Sequence, residues 1–69
     1  MDKKHILYSK GDKVIIFISG RQHPYIGVID DMGDTSLLLM DRYAGLMPIS
    51  FNTISTITEF REELANHGR

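Results

Sequence analysis

Between residues 12 and 57 the chain alternates short apolar runs with clusters of turn-forming residues. Val14-Ile15-Ile16-Phe17-Ile18 is β-branched and aromatic, a composition that favours a strand over a helix. Gly11-Asp12 opens this run as a turn and Ser19-Gly20 closes it. Tyr25-Ile26-Gly27-Val28-Ile29 follows, entered at Pro24, a residue suited to a strand start because it has no amide proton. Gly27 inside this run predicts a sharp bend or bulge. After the turn Asp30-Asp31-Met32-Gly33-Asp34, Leu37-Leu38-Leu39-Met40 has helical propensity, but four apolar residues between turn signals make a strand the better reading. Tyr43-Ala44-Gly45 is a hairpin turn, and Pro48 in the returning run predicts an edge or a bulge. The strands expected are Asp12–Ser19, His23–Asp30, Thr35–Asp41, Gly45–Phe51 and a short one after Asn52-Thr53 that ends near Ile57.

The tail follows another pattern. Thr58 can cap a helix, Glu59, Glu62 and Glu63 suit its positive end, and Phe60 and Leu64 fall four apart on one face. A short C-terminal helix is therefore expected over residues 58–66. Residues 1–4 are expected to be disordered, and Ile6-Leu7-Tyr8 can add a short strand. The fold class is mainly β: one domain over residues 1–69, a small, strongly bent, five-stranded antiparallel barrel with that helix attached.

Two strands are apolar on both faces. Val14, Ile16 and Ile18 point one way while Ile15 and Phe17 point the other, and Leu37 to Met40 are apolar without a break. A barrel needs only its inner face apolar, so something covers the outer one. The C-terminal helix or a second subunit can do so, and a homo-oligomer is expected.

With 69 residues the chain forms a single domain that buries only roughly 60% of its unfolded surface. The absence of cysteine excludes a disulfide framework and a thiolate metal site, which suits a reducing compartment. No apolar stretch approaches the roughly 20 residues of a membrane helix, and Met1–His5 precedes no long apolar run of a secretion leader. A cytoplasmic protein without membrane partners is expected. The net charge of -1 conceals an asymmetry, because residues 1–23 carry Lys3, Lys4, Lys10, Lys13 and Arg21 against Asp2 and Asp12 while the remainder is acidic. The basic end can face a polyanion, although dedicated nucleic-acid domains are usually basic overall and such charges otherwise decorate solvated turns.

Catalytic constellations are missing. His5, His23 and His67 have no metal-site spacing, and His23 before a proline reads as a solvated loop residue. Asp30, Asp31 and Asp34 lack the rest of a calcium loop and read as a charged hairpin turn. The glycines are dispersed, so there is no phosphate loop, and no serine has a suggested histidine–acid partner. A non-enzymatic protein with no cofactor is expected.

A strand ending in Ser19-Gly20, a strand bent at Gly27, an acidic turn leading into Asp34-Thr35-Ser36-Leu37-Leu38-Leu39, and the segment Asn52-Thr53-Ile54-Ser55-Thr56 together resemble the Sm-like fold, its bacterial Hfq branch in particular. The likeness spans roughly residues 14 to 57. It implies a bent small barrel of Sm-like or Src-homology type, self-association, and binding of RNA in a post-transcriptional regulatory role. The chain departs from that branch in three places. The Gly20–Gly27 spacing is longer, Phe51-Asn52 stands where the branch has the Lys-His pair that holds uridine-rich RNA, and no helix precedes the strands. Gly11-Asp12-Lys13-Val14 with Gly20-Arg21 and Gly27-Val28 also resembles the ribosomal KOW pattern, with Pro24 at a glycine position.

Two functions follow from different classes. In an RNA-binding barrel, Lys10, Lys13, Arg21, His23 and Tyr25 around the first hairpin, with Phe51 and Asn52 near the last turn, would meet phosphates and stack on bases. Tyr25 and Phe51 have a competing role in core or interface packing. In a protein-interaction or regulatory adaptor, edge strands or the terminal helix would dock a protein partner, a reading favoured by the doubly apolar strands and near-neutral charge.

Overall fold

The computed structural model describes residues 1–61. Its strands are β1 (Lys13–Ile18), β2 (Tyr25–Met32), β3 (Ser36–Asp41), β4 (Gly45–Ser50) and β5 (Ile54–Glu59). All pair antiparallel in one sheet of order β4-β3-β2-β1-β5. Each of the five expected strands is present, with β2 starting two residues later than expected, at Tyr25, and running two residues further, through Asp31 and Met32.

The expected barrel is not closed by backbone pairing. β4 and β5 are the sheet's two edges. Pro48 accordingly sits on an edge strand, where its missing amide proton disrupts no interior ladder. A bent connection joins the edges instead: Phe51–Thr53 forms a single 3₁₀ turn, the Phe51 amide donates to the Thr35 carbonyl at 2.9 Å, and the Ser19 amide donates to the Thr53 carbonyl at 2.9 Å.

One face of the sheet wraps a single core of Val14, Ile16, Ile29, Leu37, Leu39, Ile49 and Ile54, supplied by all five strands and completed by Ile6 and Phe51. The two-residue period explains most of this set, since inward Val14 and Ile16, and Leu37 and Leu39, alternate with outward neighbours. Two bulges explain the rest. Ile29 pairs with Leu39 but Asp31 pairs with Leu38, so Asp30 is an extra residue, and Met32 returns to the core three positions after Ile29. Likewise Ile18 pairs with Ile54 while Phe17 pairs with Thr56, which makes Ser55 extra and lets Ile54 and Ile57 both reach the core. The Ser55 hydroxyl donates to the Phe17 carbonyl at 3.2 Å across this bulge. The break expected at Gly27 therefore falls three residues later, at Asp30, and Gly27 serves a close approach of β2 to β3.

The ends differ from expectation. Residues 1–4 are placed: Lys3–His5 makes a 3₁₀ turn and the Met1 ammonium donates to the Phe51 carbonyl at 3.0 Å. Ile6-Leu7-Tyr8 forms no strand, but Ile6 is buried and Tyr8 packs beside it. Thr58 and Glu59, expected to open a helix, continue β5, because their extended backbone pairs with β1, and the Phe60 amide prolongs the ladder by donating to the Lys13 carbonyl at 2.9 Å. The rest of the expected helix, residues 62–66, lies outside the described residues.

Candidate nucleic-acid interface

The β1–β2 connection begins with a turn in which Gly20 takes a positive φ of 85° and the Arg21 amide donates to the Ile18 carbonyl at 3.1 Å. This turn lifts Arg21 back over the first residue of β2, and its guanidinium stacks 4.5 Å from the centre of the Tyr25 ring. Such a pair on an exposed surface contributes about 0.5–1 kcal/mol. Stacked, the guanidinium keeps its edge N–H groups directed outward for an anion. His23 is exposed in the same connection, and Pro24 and Tyr25 are half-buried at its foot.

A second hairpin stands beside the first because β2 pairs with β3. Three residues, Arg42 to Ala44, join Asp41 to its partner Gly45, whose positive φ of 80° closes the loop. The Asp41 carboxylate accepts from the Tyr43 and Ala44 amides, each at 2.9 Å. These bonds, Ala44 first and Tyr43 second, with a smaller contribution from the Arg42 charge, hold the Asp41 carboxyl below its ordinary value. The loop projects Arg42 and Tyr43 outward, with the Arg42 guanidinium 5.9 Å from the Tyr43 ring centre and the ring 89% exposed. Pro24, Ile26, Asp41, Arg42 and Tyr43 line one shallow cleft between the two hairpins.

Arg21, His23 and Tyr25 thus share one connection, and Arg42 and Tyr43 emerge at the same end of the sheet against Pro24 and Ile26, whereas Tyr25 lines a separate cleft with Ile18, Met47 and Pro48. Sequence reasoning missed Arg42 and Tyr43, yet a signal existed: in an antiparallel meander the first and third connections emerge at the same end of the sheet. The remaining expected residues lie elsewhere. Lys13 opens β1, roughly 16 Å from Ile18 by strand rise, with its ammonium 4.6 Å from the Phe60 ring centre. Lys10 is exposed in the turn before β1, where the Asp12 carboxylate accepts from the Ser9 amide and the Gly11 amide donates to the Ile29 carbonyl. Asn52 lines a separate cleft with Asp2, Lys3 and Asp34. Phe51, expected to stack on a base, is 4% exposed and part of the core, so its ring has no free face to offer.

No polar or charged side chain is buried among the described residues. No family model matches the chain, and no curated protein or solved structure matches it either.

Proposed function

We propose that this protein is a non-enzymatic, single-strand RNA-binding domain whose curled sheet acts as an Sm-like small barrel, and that the paired hairpin tips are its contact surface. The observation that carries this reading is the Arg21–Tyr25 stack at 4.5 Å, set beside a second Arg–Tyr pair on the neighbouring loop. Exposed Tyr43 offers a flat face to an unstacked base, and the two guanidinium groups meet the flanking phosphates. At the tips the two guanidinium groups of Arg21 and Arg42 outnumber the one carboxylate, Asp41, so the local charge is positive although the net charge of the chain is -1.

The test is titration of the full chain against a labelled uridine- or adenine-rich oligonucleotide at several salt concentrations. The expected result is binding whose logarithm falls linearly with log salt, with a slope near -1.4 if two phosphates are neutralised, by the single-strand coefficient of about 0.7 per contact. Absence of binding at low salt overturns the proposal. A second reading, a protein-interaction module without a nucleic-acid role, draws on the apolar outer face of the sheet and is distinguished by association that salt does not weaken.

A further inference from the structure

The cleft between the hairpin tips holds an acceptor that the fold itself leaves unused. Both bonds that Asp41 accepts from its own loop, from the Tyr43 and Ala44 amides at 2.9 Å, end on the same carboxylate oxygen, Oδ2. Among the described residues nothing donates to the other oxygen, Oδ1. The two backbone bonds therefore hold the carboxylate in place without occupying it. They also favour its charged form, so near neutral pH Oδ1 can only accept. Half-buried Asp41 lines the cleft with Pro24 and Ile26, also half-buried, and with exposed Arg42 and Tyr43. Apolar surface, an aromatic ring and one fixed acceptor together suit a flat heteroaromatic ring with a donor on its edge.

We propose that Asp41 selects the base held at this cleft, favouring one that carries an exocyclic amino group, as cytosine, adenine and guanine do, over uracil. The inference rests on the RNA reading above and adds a base preference to it. An exocyclic amino group donates in the plane of the base, and an ionised carboxylate accepts such a bond more strongly than a neutral group does. Uracil offers a single N–H on its Watson–Crick edge, flanked by two carbonyl oxygens. A carboxylate oxygen brought to that N–H also lies against both carbonyls, and the like partial charges repel. Cytosine and uracil are the decisive pair. Their rings are alike in size and stacking face, but cytosine presents the N4 amino donor where uracil presents the O4 acceptor. The loop-holding role of Asp41 cannot produce such a preference, since it uses Oδ2 and is the same whichever base is bound.

The experiment is fluorescence anisotropy of the full chain against labelled oligocytidine and oligouridine of equal length at one low salt concentration, repeated with Asp41→Asn. Wild type is expected to bind oligocytidine on the order of tenfold more tightly, the worth of one hydrogen bond to a charged group. In Asp41→Asn the side-chain oxygen serves the loop amides and the NH₂ group stands in place of Oδ1, so a donor replaces the acceptor. The preference is then expected to vanish or reverse. The ratio of the two affinities is the readout, because removing a negative charge strengthens the attraction of both strands alike, and a loosened hairpin weakens both alike. Should Asp41→Asn fail to fold, a strand of pyrimidin-2-one ribosides, which lack the amino group and add no carbonyl, replaces it: wild type is expected to bind this strand several-fold more weakly than oligocytidine. Equal wild-type affinities for oligocytidine and oligouridine overturn the inference and leave the RNA reading in place. An unchanged ratio in folded Asp41→Asn, or a pyrimidin-2-one strand bound as tightly as oligocytidine, does the same. Binding of neither strand overturns the RNA reading and this inference with it.

Discussion

Gly27 lies so close to Met40 that a Cβ on the glycine would overlap the Met40 carbonyl, with the carbonyl carbon at 2.9 Å and the Asp41 Cα at 3.2 Å. The obstacle is backbone on the neighbouring strand, so no side-chain rotation relieves it. Gly27 pairs with Asp41 on one side and with Val14 on the other, which fixes it in the interior of the sheet. Gly27→Ala must therefore push β2 and β3 apart, and overpacking of this kind costs about 1–3 kcal/mol. For a domain of this size that corresponds to a fall in Tm on the order of 5–20 °C. Thermal denaturation followed by circular dichroism checks it, and a variant that melts with the wild type refutes the close approach.

Leu39 and Met40 are adjacent in sequence and opposite in environment. Leu39 has no exposed surface at the centre of β3, whereas Met40 faces outward. Leu39→Ala is expected to cost about 2–5 kcal/mol, from lost burial and the cavity left behind, which is enough to unfold much of a marginally stable small domain. Met40→Ala is expected to cost under about 1 kcal/mol in the monomer, since surface changes are usually small. Urea titrations of the two variants at low protein concentration settle the assignment of faces.

The strands were legible because their punctuation is chemical. Gly20, Pro24, Gly33 and Gly45 stand where the chain turns, and β-branched or leucine runs fill the intervals. The core was half legible. Alternation places Val14, Ile16, Leu37 and Leu39 inside, but a strict period of two would put Met32 and Ile57 on the wrong faces, and the extra residues Asp30 and Ser55 that reset the count carry no signature of their own. Thr58 reads as a helix cap from its hydroxyl, yet pairing with Ile15 on β1 decides its conformation. The candidate site was legible at Arg21, His23 and Tyr25, which are neighbours in sequence. It was illegible at Arg42 and Tyr43, which come to the same end of the sheet only through the β2–β3 pairing. Phe51 was misplaced because an aromatic residue beside a polar turn looks solvent-facing until the turn folds it under the sheet.

The β3–β4 hairpin should respond to acid through Asp41. Backbone N–H groups of Tyr43 and Ala44 favour its charged form and lower its pKa in the folded state. A carboxyl depressed on folding contributes stability above its unfolded pKa, about 3.9, and loses that contribution as pH falls through the folded value. Asp41→Ala should therefore melt below wild type at pH 7, and the gap should narrow as the solution is acidified below about pH 4. Asp41→Asn keeps an oxygen acceptor without the charge, so it should retain part of the loop's stability and lose that pH-dependent part of it. A gap between wild type and Asp41→Ala that stays constant down to pH 2 contradicts the assignment.

Binding variants separate the two ends of the basic surface. Tyr43 is exposed and belongs to no core cluster, so Tyr43→Ala should leave folding unchanged while costing RNA binding about 1–3 kcal/mol, the usual loss for one stacked base. Arg21→Ala with Arg42→Ala should weaken binding and flatten its salt dependence by roughly 1.4 in slope, two phosphate contacts on a single strand. Lys10→Ala lies at the other end of β1, outside the cleft formed by Pro24, Ile26, Asp41, Arg42 and Tyr43, and should leave both affinity and slope near wild type. The contrast matters because removing any cation from a small protein weakens a purely diffuse attraction to RNA, and only a localised site distinguishes these positions. Fluorescence anisotropy of all four proteins at two salt concentrations therefore tests location as well as affinity: equal losses for Lys10→Ala and the double arginine variant would show a diffuse field in place of a site at the hairpin tips.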